Sequence, residues 1–172
     1  MNEIIKKNGI QYGLIIASIA IFFQILTYIT NIPFYKNMIL GFTLIFIYWV
    51  IRIFLANKTK KDFKNSITFK EVFTTLFIAS TLGIVISSLF NYVFFNFVAI
   101  DLGNEINEFM NNKMIESYKI MGKSKAELKE IGETLNFSFS SLFKTCLFSI
   151  LISAIFNLIL SAFFKSKSSN QL

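Results

Sequence analysis

Small, hydroxyl and amide side chains recur at helical spacing inside stretches of this chain that carry no charge. One series has such a residue at every fourth position from Thr75 to Asn91, and a second does so from Thr145 to Ser161. Small residues at this spacing let helix backbones approach closely, and hydroxyl or amide groups form hydrogen bonds across the contact. With a third series near the N-terminus, the expected helix-packing positions are Gly13, Ala17, Ala20, Gln24, Ala79, Gly83, Ser87, Asn91, Ser149, Ser153 and Asn157.

Side chains that catalyse reactions or bind metals are scarce. The chain has no histidine, the usual metal ligand and the group that exchanges protons near neutral pH. It has one cysteine, Cys146, which cannot form an internal disulfide and which is expected to behave as a small hydrophobic residue. We therefore predict no enzymatic activity, no cofactor and no bound metal.

The elements that carry these positions are long runs without any Asp, Glu, Lys or Arg. A bilayer core is about 30 Å thick and is crossed by about 20 helical residues. A hydrophobic fraction of 54% and a mean hydropathy of +0.59 are too high for a soluble domain of 172 residues. The sequence predicts an all-α integral membrane protein, one domain over residues 1–172, with transmembrane helices at about 9–30, 36–55, 69–98 and 143–164.

Neighbouring helices in this arrangement are antiparallel. The third and fourth helices carry the two series with four-residue spacing, so we expect these series to pack against each other. In that arrangement Asn157 lies near Thr75 and Ala79, and Asn91 lies near Ser149.

The second helix is the shortest and contains Arg52. The uncharged run between Lys36 and Arg52 covers only about 22 Å, so this helix spans the bilayer only if Arg52 extends to the headgroups. No ionisable side chain is then expected in mid-membrane, where proton relays and coupled transporters usually carry one. The amides of Gln24, Asn91 and Asn157 are interpreted as interhelical hydrogen-bonding groups, and an oligomeric channel or facilitator lined by them is the alternative.

Charges between the helices predict the orientation. Lys and Arg are concentrated at the N-terminus, in the loop at 56–68 and in the C-terminal tail, whereas residues 101–144 are nearly neutral overall. Cytoplasmic loops are the basic ones, so both termini are expected in the cytoplasm. The net charge of +7 is explained by topology and by contact with the lipid bilayer, and no nucleic-acid partner is predicted.

The segment between the third and fourth helices is amphipathic. Its pattern predicts one helix that ends at Gly122 and a second, shorter helix that begins at the capping box Ser124–Glu127, giving an extracytoplasmic helical hairpin at about 101–138. The apolar stripe either receives a partner or packs within the protein and on the bilayer. This candidate partner surface is Leu102, Ile106, Phe109, Met110, Met114, Tyr118 and Met121.

This layout resembles a family of small four-span bacterial membrane proteins catalogued only as a domain of unknown function. The resemblance covers about Ile4 to Lys167 and rests on the element Ile67-Thr-Phe69-Lys-Glu-Val-Phe73 and on the turn Gly122-Lys-Ser124. It implies the fold and a bacterial inner-membrane location, and no activity or functional residues.

Three functions are compatible with these features. The sequence favours a non-enzymatic accessory or scaffold protein that binds another membrane protein or a second copy of itself. The amide-lined channel or facilitator is one alternative. A sensor of the envelope or of bilayer thickness, acting through the long third helix, is the other.

Overall fold

The computed structural model describes residues 2–32, 34–122 and 137–166, which form helices and short connections. Four helices in these ranges are long and apolar enough to cross a membrane, so the predicted all-α, four-helix architecture is confirmed. In chain order the helices are α1 (Glu3–Thr30), α2 (Met38–Asp62), α3 (Phe69–Val93), α4 (Ile100–Ile120) and α5 (Phe139–Phe164). A 3-10 turn (Phe34–Lys36) precedes α2, and a π-helical turn (Phe94–Val98) extends α3.

Side-chain caps determine where these helices begin. The Oγ1 of Thr68 accepts a hydrogen bond from the backbone N–H of Glu71, and the Glu71 carboxylate accepts one from the backbone N–H of Thr68 at 2.8 Å. This is the capping box of α3, and it satisfies two backbone donors that the helix leaves unpaired. Asn2, Asn37 and Ser138 cap α1, α2 and α5, so α1 and α5 begin earlier than predicted.

The second helix is longer than predicted. It continues through the first half of residues 56–68, which were predicted to be a loop, and ends at Asp62. Leu55, Ala56 and Thr59 are buried against the rest of the bundle. Burial of these side chains therefore outweighs the local concentration of lysines in deciding where α2 ends, and residues 63–68 alone connect α2 to α3.

The third helix does not continue unbroken into the charged segment. The backbone leaves the helical conformation at Ala99, which has φ −117° and ψ 52°. The third membrane-spanning element is thus Phe69–Val98, and α4 begins as a separate helix at Ile100. At 30 residues this element is as long as predicted, and its role as a sensor of bilayer thickness stays a hypothesis.

Helices α1 and α3 lie side by side in the same direction. Near their starts, Gly13 approaches the backbone of Ala79, and near their ends the rings of Tyr28 and Phe94 meet edge to face with centroids 5.5 Å apart. Positions earlier in α1 thus contact positions earlier in α3, and later positions contact later ones, as parallel packing requires. Helix α5 is antiparallel to α3, and Ser166, after its end, donates its backbone N–H to the Ile67 carbonyl at 2.9 Å.

The end of the bundle where α2 and α5 finish and α3 begins, here called the core end, holds the largest apolar cluster. Its buried members are Ile16, Leu55, Ala56, Ile67, Val72, Leu76, Ala79 and Leu160. At the same end, Asn8 of α1 donates hydrogen bonds to Thr59 and Asp62 of α2 and accepts one from Lys58. These contacts hold the core end closed.

The opposite end, here called the α4 end, has a smaller aromatic cluster. Phe94, Phe95 and Ala99 are buried there, and Leu102 and Ile106 of α4 pack against them. Gly122, with φ 78°, follows α4. The second helix of the predicted hairpin falls at positions that lie outside the described residues.

Candidate functional site

The small-residue stripes pack, but with a different pairing from the predicted one. A Cβ on Gly83 would lie 2.6 Å from Cγ2 of Ile16, and a Cβ on Gly13 would lie 3.0 Å from the carbonyl oxygen of Ala79. Ala17 is also buried. The α3 stripe of Ala79 and Gly83 thus faces α1, whereas the sequence spacing had paired it with α5.

Helix α5 packs on a neighbouring face of α3. Nδ2 of Asn157 donates a hydrogen bond to Oγ of Ser80 at 2.9 Å, and both side chains are buried. Ser80 follows Ala79 in the sequence but is not a member of the predicted series. The difference arises because α1 and α5 both carry small residues at helical spacing, so spacing alone does not identify the partner of α3. Asn157 joins two helices and lines neither of the cavities described below.

Further toward the α4 end, the same α1 and α3 stripes face a cavity of about 580 Å³ between α1, α2 and α3, here called the amide crevice. Ala20 and Gln24 of α1 and Ser87 and Asn91 of α3 line it. Ser87 donates its hydroxyl to the Gly83 carbonyl of its own helix at 2.8 Å. The side-chain amides of Gln24 and Asn91 form no hydrogen bond with any residue that the structure describes. Two amides with unused donors and acceptors therefore share one cavity.

Helix α4 covers the crevice at the α4 end. Ile106 lines the cavity, and the ring of Phe109 meets the ring of Tyr35 edge to face at 5.6 Å. Nζ of Lys36 donates to Oε1 of Glu105 at 2.7 Å. This hydrogen bond lowers the pKa of Glu105 and raises the pKa of Lys36.

The predicted partner surface is divided by this arrangement. Leu102, Ile106 and Phe109 contact the bundle, as a stripe packed within the protein requires. Met110 and Met121 are exposed, at 47% and 73%, and the remaining two members, Met114 and Tyr118, are half-buried.

Arg52 lies in the middle of α2 and not at its end. The last residue of α2, Asp62, is ten residues further along, about 15 Å of helix. Nη2 of Arg52 donates to Oγ of Ser153 at 2.9 Å, and Ser153 lies near the middle of α5. The expected end of α2 soon after Arg52 is thus wrong, because the helix continues to Asp62. That Arg52 extends to the headgroups, with no ionisable group in mid-membrane, stays a prediction.

The guanidinium of Arg52 has unused hydrogen-bonding capacity. Its Nε is buried and has no acceptor among the described residues, and no carboxylate within those ranges forms a salt bridge with it. Ser153 supplies a neutral hydroxyl, which hydrogen-bonds but does not neutralise the charge.

A second cavity of about 410 Å³, here called the arginine cavity, surrounds this group between α2, α3 and α5. Ser149 and Ser153 line it together with Trp49, Phe148 and Phe156. Ile45 and Tyr48 line both cavities, so the amide crevice and the arginine cavity adjoin along one face of α2. A sequence signal for this face exists: Asn37, Gly41, Ile45, Tyr48 and Arg52 follow one another at spacings of four and three.

Metal ligands do not cluster in the described ranges, where no group of three or more His, Cys, Asp or Glu side chains could hold an ion. Cys146 is a half-buried free thiol. The absence of enzymatic activity, cofactor and metal stays a prediction.

Comparison with known proteins identifies a family. No curated protein and no solved structure matches the chain. A family model described as "Protein of unknown function (DUF4199)" matches residues 11–166, which confirms the resemblance to a four-span family of unknown function. With nine-tenths of its length matched by that model, this four-helix protein with two adjoining cavities belongs to the DUF4199 family.

Proposed function

We propose that this protein is a non-enzymatic, multi-pass membrane protein that binds a small polar or amphipathic molecule in the amide crevice. The observation that carries the proposal is the pair of unpaired amides, Gln24 and Asn91, facing one cavity. Neither amide is among the buried polar atoms without a partner, so both are accessible in the cavity, and a ligand with donors and acceptors can pair with them. The volume lies within the range of small-molecule sites.

The proposal retains part of the channel or facilitator alternative and changes its geometry. Gln24 and Asn91 meet in the crevice, whereas Asn157 is engaged with Ser80 between α3 and α5. The core end is packed with buried apolar side chains, among them Leu55 and Leu76. A crevice closed at its base favours binding over free conduction.

We further propose a location in the bacterial inner membrane, with the core end cytoplasmic and α4 extracytoplasmic. The N-terminus, the α2–α3 connection and the end of α5 all lie at the core end, as the Asn8–Thr59 and Ile67–Ser166 contacts require. These are the lysine-rich parts of the chain, and lysine-rich connections are cytoplasmic. The amide crevice then opens beneath α4 on the extracytoplasmic side.

Native mass spectrometry of the protein extracted in mild detergent tests the binding proposal. We expect wild type to carry a bound small molecule and the double variant Gln24→Leu/Asn91→Leu to lose it, because leucine fills the space but offers no hydrogen bond. Asn112→Leu, a similar amide-to-leucine change on the exposed surface of α4, is the control and should retain the ligand. A bound species that the double variant retains, or wild type without one, would reject the proposal.

A second function, binding of another membrane protein or of a second copy, is supported by the exposed methionines of α4. Met110 is exposed on α4 and Met121 directly after it, on a segment whose Leu102 and Ile106 pack on the bundle, and flexible methionines suit adaptable contact surfaces. Crosslinking in intact cells should capture the same partner with wild type and lose it with Met110→Ser/Met121→Ser. Identical capture by both proteins would remove this accessory role.

A further inference from the structure

The charge of Arg52 has no counter-ion in the part of the chain that the structure describes. An arginine keeps its charge in proteins, and a guanidinium inside an apolar bundle is costly unless an anion accompanies it. The one hydrogen bond of this side chain goes to Ser153, and its Nε–H is buried without an acceptor. Intramembrane charges of this kind mark binding sites more often than they mark packing sites.

From this geometry we infer that the arginine cavity binds the anionic head of an amphiphile, a carboxylate or a phosphate held by Arg52. The planar guanidinium presents several N–H donors in a fork that matches both groups. Ser153, at 2.9 Å from Nη2, holds the guanidinium in place, and Nη1, which is accessible and has no acceptor among the described residues, is left for the ligand. The inference deepens the proposed function, on which it rests, by naming the class of ligand.

The remaining walls of the arginine cavity fit a hydrocarbon tail. Trp49 and Phe156 meet edge to face at 5.3 Å and line the cavity with Phe148 and Ile152. Phe148 is 64% exposed and Ile152 39% exposed, so the cavity opens between apolar side chains. A free inorganic anion would gain nothing from these walls, whereas an amphiphile buries its tail against them.

The junction at Tyr48 connects the anion site to the amides. Tyr48 lies one helical turn before Arg52 and lines both cavities. A head that bears further polar groups can thus contact Gln24 and Asn91 while its charge stays on Arg52. The two cavities adjoin along α2 at Ile45 and Tyr48.

The position of Trp49 supplies the test, because it is the only tryptophan of the chain and it lines the arginine cavity. The full-length protein is placed in nanodiscs of neutral lipid and titrated with brominated probes, whose bromine atoms quench tryptophan on contact. The probes are a dibrominated fatty acid, a brominated phosphatidylglycerol and a brominated phosphatidylcholine. We expect one or both anionic probes to quench Trp49 at about tenfold lower mole fraction than the zwitterionic probe.

Variants assign the preference to Arg52. Arg52→Gln should abolish the roughly tenfold difference, and Arg52→Lys should retain part of it. Lys144→Gln, which removes an exposed charge from α5, should retain all of it. Preference for the fatty acid alone assigns a carboxylate, and preference for phosphatidylglycerol assigns a lipid phosphate.

Equal quenching of wild type by all three probes would overturn the inference without any variant, so a misfolded Arg52→Gln does not prevent a decision. An anion preference that survives in a folded Arg52→Gln would overturn it as well. The Gln24→Leu/Asn91→Leu variant separates the two proposals. If the anionic probes still quench Trp49 preferentially and this variant retains its co-purified molecule, only the amide-crevice proposal is rejected. If the variant loses that molecule but wild type shows no preference for anionic probes, only the anion site is rejected.

Discussion

Gly83 and Gly41 both lie within apolar helices, but Gly83 is closely packed and Gly41 has open space beside it. A Cβ on Gly83 would be 2.6 Å from Cγ2 of Ile16, and a β-branched side chain in a helix has little rotamer freedom with which to move away. A Cβ on Gly41 would meet no atom within 4 Å. The close contact between α1 and α3 therefore depends on the missing side chain at Gly83, while Gly41 leaves space beside the amide crevice.

Gly83→Ala is expected to lower the free energy of unfolding by about 1–3 kcal/mol, the usual cost of forcing an extra carbon into a filled core. Gly41→Ala is the matched control. It adds the same carbon where there is room, and alanine is the better helix former, so stability should stay equal or rise. Unfolding by sodium dodecyl sulfate in mixed micelles measures both variants. Equal midpoints for the two would contradict the close α1–α3 contact.

Residue types were predictable from the sequence to a greater degree than residue partners. The spacing of Gly13 and Gly83 indicated close helix contacts, and the structure contains them, but with α1 as the partner of the α3 stripe. The end of α2 was predicted too early, soon after Arg52, because a charge usually marks the end of a span. Its true position depends on the burial of Leu55 and Thr59 beyond it, which arises from contacts between helices and leaves no periodic signal.

At the scale of elements, α4 covers one end of the bundle and is held there by two kinds of contact. Leu102 and Ile106 supply apolar contacts with the aromatic cluster. The Lys36–Glu105 pair, at 2.7 Å, supplies a polar contact with the turn before α2. The amphipathic pattern predicted α4 and its end near Gly122. Which half of the stripe would be covered could not be predicted, because that depends on the change of direction at Ala99.

The polar attachment of α4 should depend on pH with a defined sign. The hydrogen bond from Lys36 lowers the pKa of Glu105, so the contact is complete above the ordinary carboxylate pKa and is lost as the pH falls through the lowered one. The same hydrogen bond raises the pKa of Lys36, so on the basic side the contact is lost only as the pH rises through the raised value. Hydrogen exchange of α4 amides, corrected for its intrinsic pH dependence, should show constant protection near neutrality and a loss in acid.

Charge substitutions isolate this contact from other effects of pH. Lys36→Glu alone and Glu105→Lys alone should each increase exchange in α4, because each places like charges together, and the combined swap should restore protection. Lys70→Glu is the control, since Lys70 is exposed at the start of α3, at the core end, and does not join α4 to the bundle. A swap that fails to restore protection would show that α4 is held by its apolar contacts alone.

At the scale of the whole molecule, the closely packed apolar side chains and the cavities with polar side chains lie at different positions along the bundle axis. Buried apolar side chains fill the core end, and both cavities lie along the part of α2 up to Arg52. One helix therefore carries out two tasks. The part of α2 after Arg52 closes the bundle through Leu55 and Thr59, and the part up to Arg52 borders the space that Tyr48 and Arg52 line.

The orientation of this axis decides from which side a ligand enters. Lys61 lies in the last turn of α2 at the core end, and Lys113 lies on α4 at the other end. Because lysine-rich connections stay in the cytoplasm, fusions of a phosphatase and of a fluorescent protein after Lys61 should report the cytoplasm, and the same fusions after Lys113 should report the opposite side. Reports from one side for both positions would contradict the four-span arrangement. If the two reporters gave the reverse result, the four-span arrangement would stand and the amide crevice would open on the cytoplasmic side.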